Sequence, residues 1–274
     1  MLTLKNKLIV PTVPHTLDCF NTSTSTYSNG ASRFHLALAP ADTLFVMGLF
    51  SFLYQNCNTY DDEVYIINPE ALREFLGFSR GGKSRNIRRE LTRLQEMKCY
   101  IDNKEFPLAA VSPEGRLLVV HSTYFHELSK AMRSFAQRPD GSMGSRYTSL
   151  IYADICKVKR KASAEVCIEL CKLMERRGCT NAAPVHISIK TLVSRCPHLR
   201  LELYDAPTNS RRNQVLRQSL SEGIQLIASH TTAYQEYRDL SIVPPEKPAL
   251  ANLSEIVRIM HSGKIYESEG LENE

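Results

Sequence analysis

Residues 78–97, FSRGGKSRNIRRELTRLQEM, constrain the chain more than any other stretch. They carry Arg80, Lys83, Arg85, Arg88, Arg89 and Arg93 against Glu90 and Glu96, while the whole chain has a formal charge of only +5. Ile87, Leu91 and Leu94 recur at i, i+4 and i+7, a spacing that predicts one apolar helical face. Arg85, Arg89 and Thr92 fall on the opposite face, flanked by Arg88 and Arg93. Such a helix must pack by one side and leave guanidinium groups on the other. Two uses fit it: a solvated surface helix, or a helix that enters a DNA major groove.

The 274 residues suggest about two domains, each large enough for its own core. No window of about 18 apolar residues occurs, so no membrane span is expected. The first residues, MLTLKNKLIVPTVPHT, lack a long apolar run and a small-residue cleavage site, so a cytoplasmic protein is expected. A sequence pI near 8.7 permits a polyanionic partner.

Residues 1–35, with NTSTSTYSNGAS, read as a flexible arm. Residues 40–56 are apolar nearly all round and predict a buried helix. Residues 64–67 predict a short strand, and Asn68 with Pro69 starts a second helix that packs by Ala71, Leu72, Phe75 and Leu76. Gly77 stops it, and the basic helix follows. Then the pattern becomes period two: 99–101, 107–111 and 117–122 are candidate strands, the last two joined by Ser112-Pro113-Glu114-Gly115. Helix, strand, helix, basic helix, β-hairpin is the winged-helix order.

After a linker at 128–146 the same order returns. A helix at 161–177 is followed by a strand at 186–189, a helix at 188–195, a polar loop, and a helix at 209–222 bearing Arg211, Arg212 and Arg217. In that last helix Leu216 and Leu220 take the inward places, so Gln214, Gln218 and Ser221 point outward. Residues 224–228 and 232–243 are expected to form a second, shorter wing. Residues 253–260 predict a short amphipathic helix from Leu253, Ile256, Val257 and Met260. The expected fold is α+β, predominantly helical, with two winged-helix domains in tandem. Its parts are an arm (1–35), domain 1 (36–127), a linker (128–146), domain 2 (147–243) and a tail (244–274).

Residues 77–84, GFSRGGKS, satisfy the phosphate-loop pattern literally, with Lys83 for the β- and γ-phosphates and Ser84 for magnesium. That chemistry needs a buried strand running into Gly77, whereas the apolar spacing of EALREFLGF is helical. In the rival reading the glycines shape a turn and Lys83 meets a DNA phosphate. The eight cysteines include no Cys-x-x-Cys pair, and Cys167, Cys171, Cys179, His186, Cys196 and His198 fit no common zinc spacing. Cys167, Leu170, Cys171 and Met174 share one helical face and read as core. His121 and His126 flank a predicted strand end without an obvious nucleophile nearby, and Tyr147 and Tyr152 read as core or linker residues. No catalytic residue, metal or cofactor is expected.

Three segments, GFSRGGKSRNIRRELTRLQEMKCYI, RYTSLIYADICKVKRKASAEVCIELCKLMERRG and RRNQVLRQSLSEGI, resemble the tandem winged-helix plasmid replication initiator proteins. The resemblance covers roughly residues 36–240 and rests on pattern and order. It implies binding to repeated origin sequences in duplex DNA, a homodimer that converts to a DNA-bound monomer, and recruitment of host replication proteins. It places the reading helices at 83–93 and 211–221. Arg85, Arg88 and Arg89 would then reach bases or nearby phosphates, with Arg93 beside them, and Arg80 and Lys83 would hold the backbone. Arg211, Arg212, Gln214 and Arg217 would act likewise in the second domain. This chain differs in a lower charge on the second helix and a long loop at 196–209. A winged-helix transcription regulator and, further off, a phosphate-loop enzyme are the alternatives.

Overall fold

The segment TLFVMGLFSFLYQN has no polar face, and a helix apolar all round has to be interior. In a computed structural model of the chain, Thr43–Asn56 is that helix, α1. The structure describes residues 7–11, 27–28, 33–37, 43–56, 63–77, 87–136, 147–151, 155, 158, 160–177, 184–230 and 239–262. It divides into two units, Met1–Arg146 and Tyr147–Glu274. Helices and small antiparallel sheets make it an α+β protein.

In the first unit Leu44, Phe45, Val46, Met47, Leu49, Phe50 and Leu53 of α1 are at most 2% exposed. Full burial of such side chains contributes about 1.5–3 kcal/mol each. Strand β4 (Val64–Ile67) follows, then α2 (Pro69–Phe75), where Asn68 Oδ1 accepts from the Glu70 N–H at 2.9 Å. Phe75 meets Phe52 edge-on, ring centroids 5.3 Å apart. Next come α3 (Ile87–Glu96), β7 (Ala109–Val111), β8 (Leu118–His121) and α4 (Thr123–Ala136). Phe125 of α4 stacks on Phe50 at 6.0 Å. Strand β4 pairs with β8, Val64 opposite His121, and β8 pairs with β7, giving the sheet order β4-β8-β7.

Between α3 and β7 the chain inserts a hairpin, β5 (Lys98–Ile101) and β6 (Lys104–Pro107). Asp102 and Asn103 turn it, both at positive φ (48 and 65°), the geometry of the tightest hairpin turns. Strand β5 also pairs with β3 (Arg33–Ala37), which pairs with β2 (Tyr27–Ser28). Strand β1 is Lys7–Pro11. Parts of the expected arm are therefore strands, because Phe34 to Ala37 have β5 to pair with. The expected linker begins inside α4, since Tyr124, Phe125 and Leu128 form a buried face. Its QRPDGSMGS stretch lies outside the described residues.

The second unit holds β9 (Tyr147–Ile151), α5 (Lys161–Arg177), β10 (Val185–Ser188), α6 (Ile189–Arg195), α7 (Pro197–Asp205) and α8 (Asn209–His230). Strands β11 (Ser241–Val243) and β12 (Ile256–Met260) follow. Strand β10 pairs with β12, Val185 opposite Ile259, and β12 with β11, so the order β10-β12-β11 repeats that of β4-β8-β7. Cys167, Leu170, Cys171 and Met174 are buried, within a run from Ala162 to Met174 that is buried on every side.

Residues 224–228 are helical, because α8 continues past Glu222 with Leu226 and Ile227 buried. Residues 256–260 are a strand: Val257 and Ile259 are buried and Arg258 is out, an alternation that also satisfies helical spacing by coincidence. The second unit thus reaches past residue 243, since β12 is the middle strand of its sheet. The long loop at 196–209 contains α7, started by Pro197 and capped as described below.

Helix α8 crosses α5 closely at Gly223. A Cβ there would lie 2.7 Å from Val166 Cγ1 and 2.9 Å from the Ser163 carbonyl oxygen. Gly223→Ala should cost about 1–3 kcal/mol of stability, read as a lower urea midpoint; an unchanged midpoint would mean that the two helices do not approach this closely.

Candidate nucleic-acid interface

Helix α3 packs as its spacing predicts. Leu91 and Leu94 are buried, Ile87 is half-buried, and Arg89, Thr92, Gln95 and Glu96 are exposed. Arg93 is half-buried and drawn against buried Glu90, Nη1 to Oε2 at 3.3 Å, so it does not stand free. Arg88 lies on α3, with its side chain outside the described residues, as are Arg80, Lys83 and Arg85 altogether. Gln95 Nε2 donates to the Val111 carbonyl at 3.4 Å, tying α3 to β7.

The β7–β8 turn is fixed by Ser112. Its Oγ accepts from the N–H groups of Arg116 and Leu117, each at 3.1 Å, and its carbonyl accepts from Gly115 N–H at 2.8 Å. This turn presents Arg116 with an 80% exposed side chain, 3.6 Å from Glu114. Arg116 was missed in the sequence, although it directly follows the turn signal.

The second basic helix, α8, begins at Thr208, whose Oγ1 accepts from Arg211 N–H at 3.2 Å. Val215, Leu216, Ser219 and Leu220 face inward. Arg211, Gln214, Arg217, Gln218 and Ser221 are exposed on the opposite side. Arg211 Nη1 donates to Gln214 Oε1 at 2.7 Å. Arg212 differs from expectation: it is half-buried, and its Nε donates to the Ala206 carbonyl at 3.1 Å, holding the α7–α8 connection. Asn213 Oδ1 accepts from Leu250 N–H at 2.9 Å, tying α8 to the segment between β11 and β12. Arg217 and Ser221 line a cleft of about 280 Å³ with Leu220, Ile224, Pro244, Pro245, Glu246 and Pro248.

Buried charge on α5 holds the helices behind this face. Glu165 Oε2 accepts from His198 N–H at 2.8 Å, and its Oε1 contacts His198 Nδ1 at 2.5 Å. Glu165 therefore caps the first turn of α7, which lacks a cap of its own. Burial pushes its carboxyl above the ordinary range, against the opposing pull of His198. Glu169 and Lys172, both fully buried, pair at 2.5 Å.

Glu222 of α8 accepts from Ser163 Oγ at 2.7 Å and from Gln218 Nε2 at 2.8 Å. Its partial burial raises the carboxyl, but these two hydrogen bonds and the Arg160 guanidinium outweigh that and hold it below its ordinary value of 4.5.

The phosphate-loop reading requires a strand before Gly77. Helix α2 runs up to it instead, and Gly77, at φ 67°, closes the helix end by donating to the Glu74 carbonyl at 3.1 Å. Residues 78–84 lie outside the described residues. Among the described residues no group of His, Cys, Asp and Glu side chains could hold a metal ion, and no helix is long and apolar enough to cross a membrane. Cys99, Cys167, Cys171 and Cys196 are buried, and burial pushes the Cys99 thiol up. No protein-family model matches the chain, and no curated protein matches it significantly.

A carboxyl with a lowered folded-state pKa contributes stability above its unfolded pKa and loses it as pH falls through the lowered value. Glu222→Gln should therefore flatten the acid limb of the stability curve, followed as urea midpoints from pH about 6 to about 3. An acid limb that overlays the parent's would mean that Glu222 is not held low.

Proposed function

We propose that the chain is a sequence-specific, duplex-DNA-binding protein that initiates plasmid-type replication at origin repeats, through two winged-helix domains in tandem. The observation that carries the reading is the repeated topology. In each unit a strand after the first helix pairs with the last strand, which pairs with the one before it. In each, the helix preceding that last pair buries a leucine face and exposes arginine and amide side chains. Helix α3 and α8 are then the reading helices, the 112–117 turn is the wing of the first domain, and 244–255 that of the second.

Arg89 would reach base edges or adjacent phosphates from α3, with Arg85 and Arg88 beside it, while Arg80 and Lys83 hold the backbone. Arg211, Gln214 and Arg217 would do so from α8, with Arg212 shaping the helix start. Arg116 would meet the backbone or the minor groove from the wing. Each phosphate contact adds a salt-dependent share of affinity, and a bidentate arginine–guanine pair adds about 1–3 kcal/mol of discrimination. The partners of the reading are origin repeats, a second copy in a dimer that gives way to a DNA-bound monomer, and host replication proteins. The cytoplasm is its place of action.

Selection from a random duplex pool with the full chain should enrich one motif. Arg89→Ala should relax preference within that motif, whereas Lys83→Ala or Arg116→Ala should weaken all duplexes about equally and lower the salt slope by about 0.9. A plasmid carrying repeats of the motif should be maintained when the chain is supplied. An unenriched pool contradicts DNA reading altogether; reporter repression without plasmid maintenance would leave a transcription regulator.

A further inference from the structure

Two glutamines one turn apart on the exposed face of α8 are each held by a charged neighbour, and the two neighbours have opposite hydrogen-bonding character. Gln214 is held by Arg211, whose Nη1 donates to Gln214 Oε1 at 2.7 Å. A guanidinium has donors only, so the amide oxygen must face it and the amide NH₂ must face out. Gln218 is held by Glu222, whose Oε1 accepts from Gln218 Nε2 at 2.8 Å. An ionised carboxylate has acceptors only, so here the NH₂ faces inward and the amide oxygen faces out. Ser163 fixes the other carboxylate oxygen at 2.7 Å, which keeps Glu222 from turning away.

Amide orientation is ordinarily set by whatever partner arrives, and a free glutamine pairs with adenine by giving and accepting at once. Here one amide site of each glutamine is already taken, Gln214 Oε1 by Arg211 and one N–H of Gln218 by Glu222. Resting on the DNA-reading assignment of α8, we propose that this face reads a fixed donor-then-acceptor pattern. Arg211 and Gln214 together present donors and take guanine, whose major-groove edge offers O6 and N7 as acceptors. Gln218 presents an acceptor and takes the amino group of cytosine or adenine. Four residues of helix span about 6 Å, and base pairs rise about 3.4 Å each. The two readings therefore fall roughly two steps apart. Glu222 does not touch the DNA; it is a positioning residue for Gln218.

The test uses the full chain and a random duplex pool, with Gln214→Ala, Gln218→Ala and Glu222→Gln beside the parent. The alanine variants identify which motif position each glutamine reads, as the position whose preference each loses. The parent should hold guanine at the first position and cytosine or adenine at the second. Glu222→Gln can still accept from Ser163 but leaves Gln218 free to rotate. It should keep the guanine and lose about tenfold of the second preference, about 1.4 kcal/mol. Far-ultraviolet circular dichroism should match the parent's.

Adenine at the position that depends on Gln214 would overturn the proposal, as would guanine or thymine at the position that depends on Gln218. An enriched motif that Glu222→Gln leaves unchanged would overturn the role of Glu222. Should Glu222→Gln fail to fold, the base identities found with the two alanine variants decide alone. A pool that enriches nothing would instead overturn the DNA reading on which all this rests.

Discussion

One-sided burial of two helices that otherwise carry charge and amide groups governs this structure. Leu91 and Leu94 hold α3, and Val215, Leu216 and Leu220 hold α8, each against a core completed by a three-stranded sheet. Burying each of these side chains contributes about 1.5–3 kcal/mol. A surface hydrogen bond or ion pair on the opposite face contributes a fraction of that. The apolar stripe therefore decides which way each helix turns, and the polar side chains go wherever it leaves them. The function proposed here depends on that order of magnitudes.

The two units reach the same arrangement by different interiors. In the first, α1 is interior because it has no polar face. In the second, α5 is buried from Ala162 to Met174 although it carries Ser163, Glu165, Glu169 and Lys172. A buried charge persists only with partners, and each of these has them: an ammonium for Glu169 and the capped turn of α7 for Glu165. Ser163 reaches α8 by way of Glu222. Polar groups in the interior of the second unit thus align the helices packed around α5, and Ser163 of α5 holds the carboxylate that accepts from Gln218 of α8.

The sequence revealed the leucine faces of α3 and α8, the Asn68–Pro69 helix start and the Ser112–Gly115 turn, because each rests on a short local rule. It misled wherever a local pattern had two solutions. Ile256, Val257 and Met260 suit a helix by spacing, yet the strand wins because β10 and β11 give it partners on both sides. Residues 224–228 are rich enough in apolar side chains for a strand, but they extend a helix already begun at Thr208. Arg93 and Arg212 counted as free cations by composition, and Glu90 and the Ala206 carbonyl claim them in space. The α7 helix was hidden because its cap, Glu165, lies more than thirty residues away in the chain. The Asp102-Asn103 turn was legible in principle: both residue types tolerate positive φ.

The account stands most directly on which face of each helix meets DNA. A photoreactive side chain in place of Gln214, and separately of Arg89, can be brought to a duplex carrying the selected motif, and cross-linked nucleotides can be mapped. The account predicts cross-links from both positions to bases within the motif, lost on excess unlabelled motif and kept against unrelated duplex. Cross-links to neither, from protein that still binds the motif, would contradict it.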